Sequence, residues 1–374
     1  MTLKIATLTF HTAINYGAVL QAYALQNAIV KLGYDSEVID YTCDAIARNY
    51  SQSKSNAKDI VKGIINKRVL ETRLARFEEF INNRIKTSGP VSSDGLCRLS
   101  RRYDGVIVGS DQVWNTKLTG CDGAYLLDFV EPEKRMAYAA SMGISRWELK
   151  EEEEIAGHLA QFSQITVRET TSADYIETLI GKRPKVVCDP VFLLTESEWS
   201  GIAGERLIEE GYALLFCLGS LPAECVRWAR REARKNKIQL ALVYLGNIPV
   251  FGMEDYRDAG PIEFLNLVKH AEFVVTPSFH GCCFSILFNK SFYWFNSSKT
   301  DAGKCGTSSR QRDLLRMFGL SSREIGPDSA ATRNIEYGDI NSKIEKYRSD
   351  SLKELADMLA QLSGGACKES RRDA

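Results

Sequence analysis

The fold is decided by a stretch in the second half of the chain, Thr276-Pro277-Ser278-Phe279-His280-Gly281-Cys282-Cys283-Phe284-Ser285-Ile286-Leu287-Phe288. It follows Ala271–Val275, a short run rich in β-forming residues that predicts a buried strand. The chain then turns at Pro277 and Ser278 and continues as an apolar segment that predicts a helix. A strand that leads into a helix through a tight polar turn is typical of parallel α/β sheets.

The same alternation of short β-rich runs and helix-period segments extends along most of the chain. It predicts two Rossmann-like, doubly wound α/β domains that face each other across a cleft. We place the first domain at 1–200 with a basic helical insertion at about 45–103, the second at 201–335, and a helix and tail that cross back at 336–374. The predicted strands are Lys4–Thr9, Ser36–Ile39, Gly105–Val108, Met136–Ala139, Gln164–Val167, Lys185–Val187, Tyr212–Cys217, Gln239–Val243, Phe273–Thr276 and Phe292–Phe295.

Composition narrows the class of protein. The 374 residues are 44% hydrophobic and 26% charged, and the formal net charge is zero, so nothing points to a nucleic-acid partner. The first strand-like run lacks the features of a signal peptide, and no apolar run is long enough to span a bilayer. The ten cysteines form no CxxC pair, and no His, Asp or Glu cluster has ligand spacing, so we expect no metal and no required cofactor. We expect a cytoplasmic protein.

The stretch Thr276–Phe288 also contains candidate catalytic and binding groups. The first free N–H groups of the helix after Ser278 would converge on one point, where an anion binds well. His280 lies in that first turn, and a nearby negative charge favours its protonated form. An anion site beside a proton carrier indicates a transferase with a phosphorylated donor, in which His280 is the general acid. The alternative is an ordinary core histidine.

A second candidate site lies after the first strand. From Ile5 to Val30 the chain has no ionised side chain, and only His11 can titrate. The segment from Asn15 predicts a helix that is buried on most sides and whose first turn points its N–H groups at the cleft. We expect Asn15, Tyr16 and Gly17 at an acceptor, because glycine allows a close approach of the backbone. The alternative is a well-packed first βα unit.

Two further turns follow predicted strands. Three polar residues follow the strand Gly105–Val108 and can bind a sugar, namely Ser110, Asp111 and Asn115, and Trp114 can stack on that sugar. Asp111 can also accept a hydroxyl proton. The alternative is that Asp111 caps the next helix. Arg168 follows the strand Gln164–Val167 and can clamp a carboxylate or phosphate; an internal pair with Glu169 is the alternative. The polar loop that contains Lys304, Arg310 and Arg312 can close over the donor.

The insertion at about 45–103 is basic. It has 13 Lys or Arg residues and five Asp or Glu residues, a net charge of +8, and its apolar residues recur at helical intervals. Such a segment can lie against the anionic inner face of a membrane, which would make the protein peripheral. The alternative is a solvated helix that packs by one face.

Together these motifs resemble the polysaccharide pyruvyl transferase family, in family order over roughly residues 3–320. The residues that carry the resemblance are Asn15–Gln21, Val106–Asn115, Tyr138–Gly143, Val167–Glu169, Asp189–Leu194 and Ser278–Gly281. The resemblance implies a GT-B-like arrangement of the two domains. It also implies transfer of the enolpyruvyl group of phosphoenolpyruvate to a sugar of a surface polysaccharide (exopolysaccharide) precursor, which can be lipid-linked, with a pyruvate ketal and phosphate as products.

Family members place an arginine and a histidine at the donor, which correspond to Arg168 and His280 here. We expect Ser278, Phe279, Gly281, Lys304 and Arg310 beside them. Some relatives have an arginine two residues before the histidine, where this chain has Ser278, so Arg310 or Lys304 must supply that charge. Two alternatives stay open, a nucleotide-sugar-dependent glycosyltransferase of the GT-B kind and a non-catalytic sugar-binding protein.

Overall fold

The structure is a computed structural model that describes residues 2–46, 60–219, 221–246, 250–296, 308–331 and 335–369. Two parallel β-sheets with helices on their faces make up this part of the chain. The strand order reverses inside each sheet, as in doubly wound folds. The predicted fold class, α/β with two Rossmann-like domains that face a cleft, is confirmed.

The first sheet has seven strands in the order β3-β2-β1-β4-β5-β6-β7, and every pairing is parallel. The switch point, where the direction of winding reverses, lies between β1 and β4. The strands are β1 (Lys4–Leu8), β2 (Asp35–Tyr41), β3 (Thr87–Val91), β4 (Gly105–Val108), β5 (Arg135–Ala140), β6 (Gln164–Val167) and β7 (Lys185–Val186).

The second sheet has six strands in the order β10-β9-β8-β11-β12-β13, again all parallel. Its switch point lies between β8 and β11. The strands are β8 (Tyr212–Cys217), β9 (Gln239–Tyr244), β10 (Glu254–Asp255), β11 (Phe273–Thr276), β12 (Ser291–Phe295) and β13 (Glu324–Ile325).

The helices connect these strands and cover both faces of each sheet. They are α1 (Tyr16–Lys31), α2 (Ile60–Arg84), α3 (Ser93–Ser100), α4 (Thr116–Thr119), α5 (Leu149–Leu159), α6 (Thr170–Ile180), α7 (Glu196–Ala203), α8 (Ala223–Asn236), α9 (Pro261–His270), α10 (Phe279–Leu287), α11 (Ser309–Phe318) and α12 (Tyr337–Glu369). No helix within the described ranges is both long enough and apolar enough to cross a membrane.

The central strands are apolar throughout because helices cover them on both sides. All residues of β4, β8 and β11 are buried. The ten strands predicted from the sequence are all confirmed, with ends that agree to within one or two residues. The sequence analysis missed β3, β10 and β13, which are short or polar and lie at the edges of the sheets.

The two domains share one apolar core around Tyr16, the first residue of α1. Its ring lies 5.1 Å from Phe77 of α2, 5.5 Å from Phe216 of β8 and 4.8 Å from Phe264 of α9, measured between centroids. Its hydroxyl donates to the carbonyl oxygen of Ala259 over 2.8 Å. Since Phe216 and Phe264 belong to the second domain, this aromatic cluster fixes the start of α1 against that domain.

Helix α2, which belongs to the basic insertion, also bridges the domains. Arg73 is buried and donates to the carbonyl oxygens of Tyr244 and Arg257. Arg76 donates to the carbonyl oxygen of Asp258 and pairs with the carboxylate of Glu263. These two cations of the insertion therefore bind the second domain, while its residues 47–59 lie outside the described part of the chain.

Helix α12 returns from the second domain and packs on the first. Ser351 accepts a hydrogen bond from Tyr138 of β5 through its carbonyl oxygen and one from the backbone N–H of Cys188 through its hydroxyl. Arg348 donates to the carbonyl oxygen of Phe192 over 2.6 Å. The helix thus ties the end of the chain to the segment that follows β7.

Candidate functional site

A cleft of about 500 Å³ opens where the switch points of the two sheets face each other. Ligands of open α/β sheets bind outside the carboxyl ends of the strands at such points. The first domain contributes residues that follow β1 and β4, and the second contributes residues that follow β8, β11 and β12. The lining residues include Asn15, Asp111, Gln112, Leu218, Pro277, Ser278, Phe279, His280, Asn296 and Arg310.

Ser278 sets the start of α10 beside this cleft. It is the N-cap residue, and its hydroxyl accepts from the backbone N–H of Gly281 over 3.4 Å. Its own N–H donates to the hydroxyl of Thr276. These two bonds fix the tight turn between β11 and α10 and place Phe279 and His280 in the first helical turn, as the sequence predicts.

His280 lies against the first turn of α1 from the other domain. A Cβ atom added to Gly17 would lie only 1.9 Å from Nδ1 of His280. The imidazole therefore occupies the space that any other residue at position 17 would fill. The ring is buried and meets the Phe279 ring edge to face at 5.2 Å.

Asp189 links His280 to Arg168. Its Oδ2 lies 2.5 Å from Nη1 of Arg168 and 3.3 Å from Nε2 of His280, although the latter pair is not aligned as a hydrogen bond. Its Oδ1 accepts from the N–H of Val191. Burial alone would raise the pKa of Asp189, but His280 and Arg168 outweigh it and hold that pKa well below the usual carboxyl range. Asp189 is therefore a buried carboxylate that binds the Arg168 guanidinium and lies beside the His280 ring.

Arg168 is almost completely buried among acidic side chains. Besides Asp189, it contacts Glu169 at 3.3 Å and Asp111 at 3.8 Å. Burial would lower the pKa of Arg168, but these carboxylates raise it above its usual value. The guanidinium lies 4.4 Å from the centroid of the Phe279 ring. Its Nη2 atom is buried and has no hydrogen-bond partner among the described residues.

Arg310 lies 5.8 Å from the same Phe279 ring, measured from Cζ. Burial, and then repulsion from Arg168, lower the pKa of Arg310. Its Nε atom and Nε2 of His280 are, like Nη2 of Arg168, buried without a hydrogen-bond partner in the described part of the chain. Unpaired buried donors are costly, and an anion would satisfy donors of this kind.

A second space, which we call the rear cavity, adjoins the cleft and has a volume of about 430 Å³. Phe279 and Arg310 line both spaces, whereas Arg168 and Asp189 line only the rear cavity and His280 only the cleft. Arg168, His280 and Arg310 are therefore divided between two adjoining spaces, both of which Phe279 lines.

The structure brings together most of the residues that the sequence singled out for the donor, together with Asn15 and Asp111. Gly281 instead supports packing, because a Cβ atom there would lie 2.5 Å from Thr276 and 2.9 Å from Phe216. Lys304 lies outside the described residues.

The predicted acceptor residues are only partly at the cleft. Tyr16 is fully buried in the core between the domains, and Ser110 is fully buried with its hydroxyl bonded to the carbonyl oxygen of Ala139. Asn115 caps α4 and donates to Gln112. Trp114 is 3% exposed and lines a separate cavity of about 290 Å³. The structure therefore assigns Tyr16 and Ser110 to packing.

Sequence reasoning missed Asp189 as a site residue. The signal was present, because Asp189 lies a few residues after the end of β7, and residues that follow a strand of a parallel sheet lie at the ligand edge. The sequence analysis used Asp189–Leu194 only as part of the family resemblance; in the structure Asp189 also caps the short 3₁₀-helix Pro190–Leu193. Within the described ranges, no group of three or more His, Cys, Asp or Glu side chains is arranged to hold a metal ion.

Among solved structures, the chain is similar to UDP-GlcNAc 2-epimerases. The enzyme from Neisseria meningitidis bound to UDP-GlcNAc is 10% identical, with 96% of this chain and 100% of that chain covered and a TM-score of 0.48. The enzyme from Methanocaldococcus jannaschii is 12% identical, with 94% and 93% covered and a TM-score of 0.47. The spinosyn rhamnosyltransferase SpnG is 10% identical, with 96% of each chain covered and a TM-score of 0.42.

A comparison with curated proteins finds no match. The family model described as polysaccharide pyruvyl transferase matches residues 15–299, which include α1, Arg168, Asp189 and His280. This match covers most of the chain. The chain belongs to the polysaccharide pyruvyl transferase family.

Proposed function

We propose that this protein transfers the enolpyruvyl group of phosphoenolpyruvate to a sugar of a surface polysaccharide precursor and forms a pyruvate ketal. The observation that carries the proposal is the set of three buried, unpaired nitrogen atoms around Phe279, on Arg168, His280 and Arg310. Phosphoenolpyruvate has a carboxylate and a phosphate, so it needs at least two cationic or N–H groups to bind it. Family membership supports the same class of transferase.

Arg310 takes the place of the arginine that some relatives have at the position of Ser278. Arg310 lines both the cleft and the rear cavity, and its guanidinium lies 5.8 Å from the centroid of the Phe279 ring that Arg168 also contacts. The lowered pKa of Arg310 reflects its burial and the nearby Arg168 charge. An anion between the two cations would relieve this repulsion, which makes the pair suited to a phosphorylated donor.

The reaction balances with the protons that the acceptor supplies. One sugar hydroxyl adds to C2 of phosphoenolpyruvate while C3 gains a proton and becomes a methyl group; phosphate then leaves, and a second hydroxyl of the same sugar closes the ketal. Of the two hydroxyl protons released overall, one replaces the proton donated to C3 and the other leaves with phosphate. His280 is the general acid in this proposal, and Asp111 accepts a hydroxyl proton.

Asp189 acts through the other two groups and does not touch the substrate in this proposal. Its fixed negative charge holds the Arg168 guanidinium in one orientation and lies 3.3 Å from Nε2 of His280. Ser278, the N-cap of α10, positions the turn from which His280 reaches the cleft. No step of the proposed reaction passes through a metal or another cofactor.

The experiment is incubation of the purified protein with phosphoenolpyruvate and a panel of sugar acceptors, including lipid-linked ones. We expect release of phosphate and an acceptor product that carries a pyruvate ketal, detected by mass spectrometry. A thermal-shift comparison tests the donor separately, because a ligand that binds the folded state stabilises it. Stabilisation by a nucleoside diphosphate and none by phosphoenolpyruvate would favour a glycosyltransferase instead. Acceptor binding without phosphate release would favour a non-catalytic protein.

Contact with a membrane surface through the 45–103 insertion remains a prediction. The structure uses Arg73 and Arg76 between the domains, so a test must leave them intact. Sedimentation with anionic liposomes, before and after reversal of the charges of Lys67 and Arg68, measures this contact. Equal sedimentation of the two proteins would count against it.

A further inference from the structure

A further space, which we call the side cavity, has a volume of about 530 Å³ and lies at the carboxyl ends of β1 and β2. The turn between β1 and α1 forms one wall, and α2 covers it from the other side. This volume is within the range of about 300–1,000 Å³ that is typical of cavities for small ligands. The proposed reaction does not use any of the residues that line the side cavity.

The lining of the side cavity differs in charge from the donor site. Its polar groups are hydroxyls, amides and carboxylates, among them Thr12, Asp40, Glu78 and Asn82, and no lysine or arginine is among its described lining residues. Phosphate and carboxylate ligands would therefore meet like charge, with no lysine or arginine among these described residues to compensate it. Carboxylate and amide groups suit the hydroxyls of a neutral sugar, and Leu74 and Ile81 offer apolar contact for its C–H face.

His11 lies in this wall but is not free to act as a base. Its ring is 1% exposed, with Nδ1 3.4 Å from the carbonyl oxygen of Thr9 and Nε2 3.3 Å from Oδ1 of Asp40. The hydrogen bond from His11 lowers the pKa of Asp40. The pair keeps Asp40 ionised and oriented at the rim, so Asp40 is an acceptor for hydroxyl groups and His11 is its support.

The side cavity and the cleft share a wall. Thr12 and Ile14 line the side cavity, while the next residue, Asn15, lines the cleft. Two residues further, Gly17 contacts the ring of His280. A sugar chain whose reacting unit lies in the cleft would thus meet the side cavity across a single turn of backbone.

We infer that the side cavity binds a neutral sugar unit of the acceptor, next to the unit that reacts in the cleft. This inference rests on the proposed function for the identity of the reaction, but the binding itself does not require phosphoenolpyruvate. It assigns acceptor recognition to the β1–α1 turn, to Asp40 and to the exposed face of α2. The acceptor is therefore longer than one sugar and is uncharged at this unit.

Neighbouring residues on α2 provide matched controls. Asn82 and Glu78 line the side cavity, whereas Asn83 and Glu79 are not among its lining residues, and all four are exposed. We would compare Asn82→Trp with Asn83→Trp, and Glu78→Ala with Glu79→Ala. Saturation-transfer NMR of the full chain would measure binding of neutral methyl glycosides and disaccharides of glucose, galactose, mannose and N-acetylglucosamine. A uronic acid and a sugar phosphate would serve as charged probes.

We expect Asn82→Trp to weaken binding of the neutral disaccharide that binds best by at least about tenfold, with no change for Asn83→Trp. Glu78→Ala should weaken it more than Glu79→Ala, and stabilisation by phosphoenolpyruvate should be the same in all four variants. Equal binding by the Asn82→Trp and Asn83→Trp variants would overturn the inference, as would binding of only the charged probes. Failure of the donor assignment would appear separately, as a lack of stabilisation by phosphoenolpyruvate in wild type.

Discussion

Gly17 and His280 are in direct contact across the two domains: a Cβ atom on Gly17 would lie 1.9 Å from Nδ1 and 2.2 Å from Cγ of the imidazole. Gly17 belongs to the first turn of α1, which the aromatic cluster around Tyr16 fixes against the second domain. The position of His280 in the cleft thus depends on a residue that follows β1, about 260 positions earlier in the chain. This contact explains why only glycine fits at this point.

Gly17→Ala should lower turnover far more than it lowers the yield of folded protein. The new methyl group must displace either α1 or the His280 ring, and a misplacement of about 1 Å at a reacting group can cost about 10²-fold in rate. The measurement is kcat for phosphate release together with the melting temperature. Gly157→Ala is the matched control, because it lies in α5 with nothing within 4 Å of its added Cβ and should leave turnover unchanged. Wild-type turnover in Gly17→Ala would contradict the proposed role of the contact.

His280→Ala should lower kcat by at least about 10²-fold, because a positioned general acid contributes about 10²–10⁴-fold. Stabilisation by phosphoenolpyruvate should decrease only in part, since Arg168 and Arg310 remain. His270→Ala is the control, because His270 lies at the end of α9 and lines neither the cleft nor the rear cavity. A His280→Ala variant with near-normal turnover would remove His280 from the mechanism.

The sequence allowed the central strands to be predicted because a strand buried on both faces leaves a continuous apolar run, as in Tyr212–Cys217. The strand Thr87–Val91 was missed because it contains Gly89 and Pro90, which are atypical of strands and are tolerated here at the edge of the sheet. It has too few apolar side chains to show the alternation of apolar and polar residues that is typical of a strand.

Only those parts of the site that lie within one continuous segment of the sequence were predictable. His280 follows a strand and opens a helix, so its place at the cleft could be inferred from Thr276–Phe288 alone. Its contacts with Asp189 and Gly17 join segments that are far apart in the chain, and no local pattern encodes them. The burial of Tyr16 also depends on the second domain, because Phe216 and Phe264 supply two of its ring contacts.

Arg310→Gln should affect the free and the donor-bound protein in opposite directions. Without an anion, removal of the charge relieves repulsion from Arg168, so the melting temperature should stay the same or rise. With phosphoenolpyruvate, the stabilisation should be smaller and KM for the donor should rise about tenfold or more, since a hydrogen bond to a charged group contributes about 1.5–3 kcal/mol. Arg227→Gln, at an exposed position of α8, should change neither quantity. A lower melting temperature with an unchanged KM would show that Arg310 has only a structural role.

Asp189→Asn should destabilise the protein most at neutral pH. The pKa of Asp189 is lower in the folded than in the unfolded protein. The ionised carboxylate therefore stabilises the fold fully at pH values above the ordinary carboxyl pKa, and this stabilisation is lost as the pH falls through the pKa of the folded state. Removal of one partner of a buried pair costs about 3–5 kcal/mol. The difference from wild type in the free energy of unfolding should therefore shrink as the pH falls below about 4.

Urea unfolding at several pH values measures this difference. Asp174→Asn is the control, because Asp174 pairs with Arg183 at the surface, where the pair contributes at most about 1 kcal/mol. A difference for Asp189→Asn that stays constant from neutral to acidic pH would show that the carboxylate charge is not what stabilises the site.

Tyr16→Phe distinguishes a packing residue from an acceptor contact. The phenyl ring retains the contacts with Phe77, Phe216 and Phe264, and the only loss is the hydrogen bond to the carbonyl oxygen of Ala259. Burial raises the pKa of Tyr16, so the hydroxyl stays protonated and this bond is present at every ordinary pH. We expect a loss of about 1–2 kcal/mol in the free energy of unfolding and no change in KM for the acceptor. Tyr23→Phe is the control, because Tyr23 is half-buried on the same helix, and it should lower the free energy of unfolding by less. A higher KM for the acceptor in Tyr16→Phe, but not in Tyr23→Phe, would show that Tyr16 contacts the acceptor.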